Sequence, residues 1–431
     1  MRRLADRPFL LGFGLAALAA AAAALVMRGL FPHFAGWTGS ASFSRIAENL
    51  ARSGLYSSDG RGPTLERMPL YPAILALAIR AGGAPWRALA LALNAAAFAA
   101  AAGLATRLAA RLHRSAAATW ACALLLAGHV AWAAEALSFR ESAWFALALA
   151  GLASALASER VGFGALLGAG LAAGAGYLLR PTGFLLVAAL PAWIWAARRA
   201  LPASWLLCAG LALAAAAACI APWQLYAIRN FGGPVLEDLE GGNTALKGAL
   251  PAYWALTPKV DYDLLDAWLV AREARTRPGE SILQRDRAWR ADTLRAIAAS
   301  PLNWAAKGLC KVALLFSPVS VPLGYGELEP AGESVRVAHF QLDPWAFASV
   351  PAATLILAGA LVRARRWRAA GAAERSLLAG LALLVAGLVL VHGATLSETR
   401  YRLPFDPLFA ILAAPVVGGW AGRLLSSSHE D

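Results

Sequence analysis

The chain has 431 residues and a formal net charge of +13, with 59% of residues hydrophobic and only 15% charged. That balance excludes a water-soluble globular protein, and Ala/Leu tracts of about twenty residues recur, the length a helix needs to cross a bilayer. The positive excess does not indicate nucleic acid, because the arginines gather in short connections between apolar segments and no basic face with interleaved aromatics is present.

In chain order, Arg2, Arg3 and Arg7 precede the first apolar run, Pro8 to Met27. It is long enough to span and has no small-residue cleavage site before Arg28, so it is expected to be an uncleaved helix with its N-terminus in the cytoplasm. A polar loop, 28–68, follows. Apolar segments are then predicted at 69–83, 87–106, 115–134, 141–158, 161–179, 182–197 and 203–221. A long amphiphilic stretch, 223–342, contains two amphipathic helices broken at Arg277-Pro278-Gly279, and residues 302–322, with Lys307 and Lys311, either span or lie along the interface. Three more spans close the chain at 344–362, 376–395 and 404–422. The expected architecture is an all-α polytopic membrane protein with about 10–12 transmembrane helices. It forms a single domain, 1–431, that includes a periplasmic loop, 28–68, and a periplasmic cap, 223–342.

Arginine placement orients the chain. Arg107, Arg111 and Arg114, then Arg160, then Arg198 and Arg199, then Arg363, Arg365, Arg366 and Arg368 mark cytoplasmic ends. Glu141, Arg180, Trp223 and Arg400 then share the opposite side with both large loops. The alternation leaves one conflict between the loop 28–68 and the Arg107 cluster. Either residues 69–83, which are short and end in Gly-Gly-Ala-Pro, enter without crossing, or the Arg107 cluster lies outside.

Ionisable residues at membrane ends are functional hypotheses, since an unpaired charge in hydrocarbon costs several kcal/mol. Arg140-Glu141, Arg180-Pro181-Thr182-Gly183 and the run Glu398 to Pro404, with Arg400 and Arg402, are the main cases, against the alternative of anchors that snorkel to headgroups. Together they outline a lipid-phosphate cradle, because the guanidinium fork matches phosphate oxygens. "APWQLYAIRNFGG" sets Trp223 at a membrane end with Arg229 just outside, and the Gly-rich "LEGGNTALKGALP", with Asn243 and Lys247, suits close backbone approach to a ligand. Cys122, Cys208, Cys219 and Cys310 lack CxxC spacing and read as core fillers. No HxxH, DxD or clustered Cys/His spacing is present, so no metal is expected.

In this order, "FSRIAENLARSGLYSSDGRGPTLERMPLYPAILAL", "SFRESAWFALALA", "LLRPTGFLL", "APWQLYAIRNFGG" with "GGNTALKG", "AWRADTLRAIAASPLNW" and "RYRLPFDPLFAILAA" resemble the GT-C superfamily of integral membrane glycosyltransferases. The likeness is greatest to the bacterial branch akin to protein O-mannosyltransferases and lipid A aminoarabinose transferase, and it covers nearly the whole chain. The resemblance implies inverting transfer of a sugar from a polyprenyl-phosphate donor to an envelope acceptor at the periplasmic side of the inner membrane, with no cofactor beyond the lipid-linked donor. It implies a carboxylate in the first outer loop as base or acceptor-positioning group, and basic residues on the departing lipid phosphate. On the matching positions, Arg67, Tyr71, Arg180, Arg229, Asn243, Lys247, Arg400 and Arg402 are the expected substrate and lipid-phosphate contacts. Arg67, ahead of Pro-Leu-Tyr-Pro, stands at the seam between substrate loop and anchoring helix.

One departure stands out. Where the family carries an acid four positions before the aromatic of its "Y..IA.NL" pattern, this chain has Gly39 and Ser40 ahead of Phe43. Glu141 is the best replacement, as base, acceptor-positioning group or salt-bridge partner of Arg140; Glu66 and His33 are further candidates, with Glu48 and Asp59 nearby. The departure keeps open a catalytically inactive lipid-binding or assembly protein on the same scaffold. A transporter or flippase is the other alternative, disfavoured because no internal repeat or pair of broken helices is evident in the sequence.

Overall fold

The computed structural model describes residues 7–30, 41–235, 240–249, 280, 282–317, 348–395 and 399–427. Regular structure among them is helical: α1 (Pro8–Leu30), α2 (Ala41–Ser53), α3 (Leu70–Gly82), α4 (Trp86–His113), α5 (Ala116–Ala127), α6 (Val130–Ala136), α7 (Ser142–Leu156), α8 (Phe163–Leu179) and α9 (Phe184–Ala196). After these come α10 (Trp205–Phe231), α11 (Glu240–Ala249), α12 (Ile282–Ala299), α13 (Pro301–Leu315), α14 (Val350–Arg365), α15 (Ala372–Ala394), α16 (Thr399–Arg402) and α17 (Asp406–Ser427).

Among the described residues, five helices are long and apolar enough to cross a membrane: Pro8–Val26, Trp86–His113, Trp205–Phe231, Ala372–Ala394 and Arg400–Ala421. The pair α5 and α6 adds a sixth if counted as one span bent by 59°, and four shorter apolar helices run beside them. The protein is therefore an all-α polytopic membrane protein. The 10–12 spans read from sequence include the shorter apolar helices. Arg277-Pro278-Gly279, between the two expected amphipathic helices, lies outside the described residues.

Local chemistry sets the breaks. α4 ends with Arg114 in the left-handed region, φ 49°, and Ser115 then caps α5 by accepting a hydrogen bond from the Ala118 N–H. The expected single segment 115–134 breaks at Gly128, because His129 Nδ1 accepts from the Trp132 N–H and starts a new helix in a new direction.

The helices approach closely through small residues. A Cβ on Gly170 of α8 would overlap the Ala212 carbonyl of α10, one on Gly174 would lie 2.8 Å from the Cys219 Cβ, and Gly359 of α14 meets Ala413 of α17 in the same way. Contact of this kind suits lipid, where helices associate by van der Waals fit because no hydrophobic force separates them from acyl chains. Outward positions are leucine-rich instead, with Leu18, Leu25, Leu206 and Leu390 all exposed.

Contacts sort the connections into two ends. Arg114 pairs with Glu159 at 2.6 Å and Arg111 Nη2 donates to Ser158 Oγ. The Val161 N–H donates to the Ala200 carbonyl, and Ser376 Oγ donates to the Leu156 carbonyl, two residues from the buried pair Arg363–Glu374. All four arginine-rich connections thus lie at one end. At the other, loop 55–68 docks on α10: Tyr226 O–H donates to the carbonyls of Tyr56 and Thr64, and Tyr56 stacks edge-on against Trp223.

The segment at the conflict in alternation, 69–83, forms α3. α3 has 13 residues, about 20 Å against a hydrocarbon core of about 30 Å. It runs alongside α2, with Tyr71 against Phe43 at its start and Arg80 donating to the Leu50 and Ala51 carbonyls at its end. α3 therefore lies along α2 and is shorter than the hydrocarbon core.

Gly170→Leu is expected to destabilise the purified protein by about 1–3 kcal/mol through overpacking, whereas Gly164→Leu, with open space at its Cβ, is expected to be near neutral. Thermal unfolding in one detergent compares the two.

Candidate functional site

The site is built where α6, α7, α8 and α16 end together. Pro181 forces Arg180 out of the helical region, to φ −149° and ψ 139°, so α8 stops and the arginine side chain crosses to the start of α7. The following turn, Pro181–Gly183, fits only because Gly183 lacks a Cβ, which would overlap the Gly176 carbonyl.

Arg180 Nε donates to Glu141 Oε1 at 2.8 Å and its Nη2 donates to Ser142 Oγ at 3.2 Å. Ser142 O–H in turn donates to Glu135 Oε1 at 2.8 Å, and Arg140 Nη1 donates to Glu135 Oε2 at 3.4 Å. Two guanidinium groups and two carboxylates balance, which is the condition for burying them. Arg180 is 6% exposed, and its Nη1 has no hydrogen-bond partner among the described residues.

Aromatic rings frame this guanidinium. Its carbon lies 5.7 Å from the Phe145 ring centre and 5.5 Å from that of Tyr401; the Arg400 guanidinium lies 5.1 Å from the same Tyr401 ring, whose other neighbour is the stacked imidazole of His392. Two guanidinium groups thus converge on one phenol ring.

A second polar network borders the first. Asn94 Nδ2 donates to Tyr71 Oη at 2.9 Å and to the Ser138 carbonyl at 2.7 Å, while Trp144 Nε1 donates to Asn94 Oδ1. Tyr71 meets Phe43 edge-on, and Arg67 lies over the same Phe43 ring with its Nε donating to Ser42 Oγ at 2.7 Å. Ser138 Oγ donates to the Glu135 carbonyl at 2.6 Å, so a continuous path of contacts runs from Arg67 in the first loop to Glu135 and Arg180.

The expected site residues separate into groups. Arg67, Tyr71, Glu141, Arg180 and Arg400 lie along this path. Glu66 sits one residue from Arg67 at the loop edge, partly exposed, with Arg45 at 3.9 Å. Arg229 is exposed near the end of α10. Asp59 is exposed, and hydrogen bonds from the Arg61 N–H and the Ser57 hydroxyl hold its carboxyl below the ordinary range. Glu48 faces Arg52 one turn along α2. His33, Gly39 and Ser40 lie outside the described residues; Asn243 and Lys247 fall on α11, but their side chains lie outside them too.

Two readings need correction. Glu141 does not pair with Arg140 through a direct contact; its bond is to Arg180, and Arg140 takes Glu135. Arg402 does not face a ligand. It is fully buried, with Nε and Nη2 donating to Asp406 and Nη1 donating to the carbonyls of Leu315 and Ser317. Asp406 Oδ2 also takes a hydrogen bond at 2.9 Å from His129 Nε2, because His129 Nδ1 is already an acceptor for the Trp132 N–H.

Sequence reasoning passed over Glu135, Asn94, His129 and Asp406. Glu135 directly follows the apolar segment that ends at 134, and His129 follows a glycine inside that segment; both positions are signals of a functional break in a span.

No family model matches the sequence, and no curated protein is similar to it in sequence. Solved structures do match. The apo oligosaccharyltransferase of Archaeoglobus fulgidus aligns at a TM-score of 0.54 and 16% identity, over 97% of this chain and 52% of that one. The oligosaccharyltransferase AglB of the same organism, in complex with an inhibitory peptide and a dolichol-phosphate, aligns at 0.51 with the same identity and coverage. ArnT from Cupriavidus metallidurans bound to undecaprenyl phosphate aligns at 0.40 and 17% identity, over 91% of this chain and 77% of that one. The chain spans about half the length of the oligosaccharyltransferases it matches. The likeness is one of fold.

Asp406→Ala is expected to destabilise the protein by about 3–5 kcal/mol, since it strands a buried guanidinium, and the pair Arg402→Met with Asp406→Leu is expected to recover much of that loss. Chemical unfolding of the single and double variants measures the difference.

Proposed function

We propose that this GT-C-fold membrane protein is a glycosyltransferase. It moves a sugar from a polyprenyl-phosphate donor to an envelope acceptor, whether lipid, glycan or protein, at the periplasmic face of the bacterial inner membrane. The observation that carries the reading is Arg180, a buried guanidinium fixed on two nitrogens with a third left unbonded, beside Arg400 on a shared Tyr401 ring. A planar fork held in place with one edge open is matched to phosphate oxygens, and it needs no reorganisation when the phosphate arrives. The dolichol-phosphate held by the similar archaeal oligosaccharyltransferase supports a lipid phosphate as the ligand.

In this reading chain 1–431 is one membrane domain, with loop 28–68 and cap 223–342 on the site side and the four arginine-rich connections in the cytoplasm. An acceptor oxygen attacks the anomeric carbon, the bond from that carbon to the phosphate oxygen breaks, and the polyprenyl phosphate leaves with its charge facing Arg180 and Arg400. The acceptor proton passes to a carboxylate. Glu141 is assigned this role: Arg180 fixes its Oε1, and its Oε2 takes no hydrogen bond from another side chain among the described residues. Arg67, Tyr71 and Glu66 are assigned to the acceptor side. Arg229, Asn243 and Lys247 are assigned to the cap side. Guanidinium groups supply the positive charge, so the reading calls on no cofactor besides the lipid-linked donor.

Gly39 and Ser40, where the family carries an acid, favour a second reading in which the donor is bound but not turned over. Donor binding and sugar transfer by purified protein separate the two. Arg180→Ala is expected to weaken polyprenyl-phosphate binding about 10–100-fold, the loss of one charge-assisted contact of about 1.5–3 kcal/mol. Glu141→Gln is expected to keep binding and lower transfer about 10²–10⁴-fold. Binding by wild type without transfer to any acceptor supports the second reading; no binding of any polyprenyl-phosphate sugar overturns both.

A further inference from the structure

Helix α13, Pro301–Leu315, is too short to appear among the spans, yet its polarity is inverted relative to a helix lying on a protein in water. Its two charged residues, Lys307 and Lys311, point inward and are each 2% exposed. Its outward face carries Leu302, 86% exposed, and Leu309, 75% exposed, with Ala305, Ala306 and Ala313 between and beyond them. Positions 302, 306, 309 and 313 recur at helical spacing, so this is one continuous apolar stripe.

The inward side explains where the lysines go. Lys311 Nζ donates to the carbonyls of Gly248 at 2.7 Å and Thr395 at 2.5 Å, tying α11 and the end of α15 to α13. Trp304 Nε1 donates to the Ala394 carbonyl, and Gly308 lies against Gly393. α13 is thus seated on the last turns of α15, a helix long and apolar enough to span, whose own exposed stripe of Ala382, Leu383, Ala386 and Leu390 faces outward.

The preceding helix has the opposite character. α12 carries Arg285, Asp286, Arg287, Arg290, Asp292 and Arg295, and, among the described residues, its one large exposed apolar side chain, Leu294, lies between Arg290 and Arg295 with only the small Ala291 and Ala298 beside it on that face. The change falls at Ser300-Pro301.

We propose that α13 is immersed in the bilayer, its Leu302, Ala306, Leu309 and Ala313 face covered by lipid acyl chains, and that the membrane surface crosses the chain at Ser300-Pro301. The occupant is lipid because the stripe adjoins the outward leucines of a span, and because the alternative, water, would leave the leucines solvated and the lysines buried. This placement does not depend on sugar transfer. It makes α13 a wall between hydrocarbon and the segment bearing Arg400, to whose helix, α16, it also packs.

The test is nitroxide accessibility on the full chain in lipid nanodiscs, with Cys122, Cys208, Cys219 and Cys310 replaced by serine or alanine. Labels are placed at Leu302→Cys, Leu309→Cys and Leu294→Cys, all exposed sites that spare the core. The expected result is that labels at 302 and 309 relax preferentially with oxygen, which partitions into hydrocarbon, and that 294 relaxes preferentially with a water-soluble nickel chelate. A nickel-dominated label at 309 overturns the immersion of α13. Oxygen-dominated labels at all three positions overturn the boundary at Ser300-Pro301, because α12 would then be immersed as well.

Discussion

Burying charge in a membrane protein is the constraint around which the rest of this structure is arranged. Asp406 shows it most directly: within one carboxylate it gathers Arg402 and His129, and through Arg402 it holds the last carbonyls of α13. Three chain segments far apart in sequence are fixed to one another there, because no water is at hand to satisfy any of the groups if one leaves. The bent junction of α5 and α6 follows from the same bond. His129 can cap α6 with Nδ1 only while Nε2 donates to Asp406.

That scaffold sets the position of the site. α6 carries Glu135 in its last turn, α7 starts after Glu141, and α16 carries Arg400 and Tyr401 immediately before the buried Arg402. Two guanidinium groups share a single phenol ring there, and that of Arg180 is held by Glu141 and Ser142. The polar path from Arg67 through Phe43, Tyr71 and Asn94 gives the first loop a rigid link to that centre.

Much of the fold was legible in the sequence. Apolar runs at 87–106, 161–179, 203–221 and 376–395 each became a helix near those bounds, since a span of hydrocarbon leaves the backbone no other way to satisfy its hydrogen bonds. The arginine-rich connections also fell at one end, as their charge required. Arg180, Glu141 and Arg400 were legible as unusual, but their partners were not. Arg180 lies 39 residues from Glu141, and nothing in spacing says that Glu141 would choose it over the adjacent Arg140. Arg402 looked equivalent to Arg400 two residues away, although a helical step of two places their side chains on different faces, one toward Tyr401 and one toward Asp406.

The sequence by itself determined that this is a multi-helix membrane protein, where its helices lie and which charges demand an explanation, because these depend on local hydropathy and on the bilayer's thickness. Only the tertiary structure decided which charges neutralise one another, that α3 lies along α2, that α13 turns its lysines inward, and that Arg180 keeps one edge unbonded among the described residues. Those outcomes depend on which helix ends meet, and that is set by close fit between small residues on helices distant in the chain.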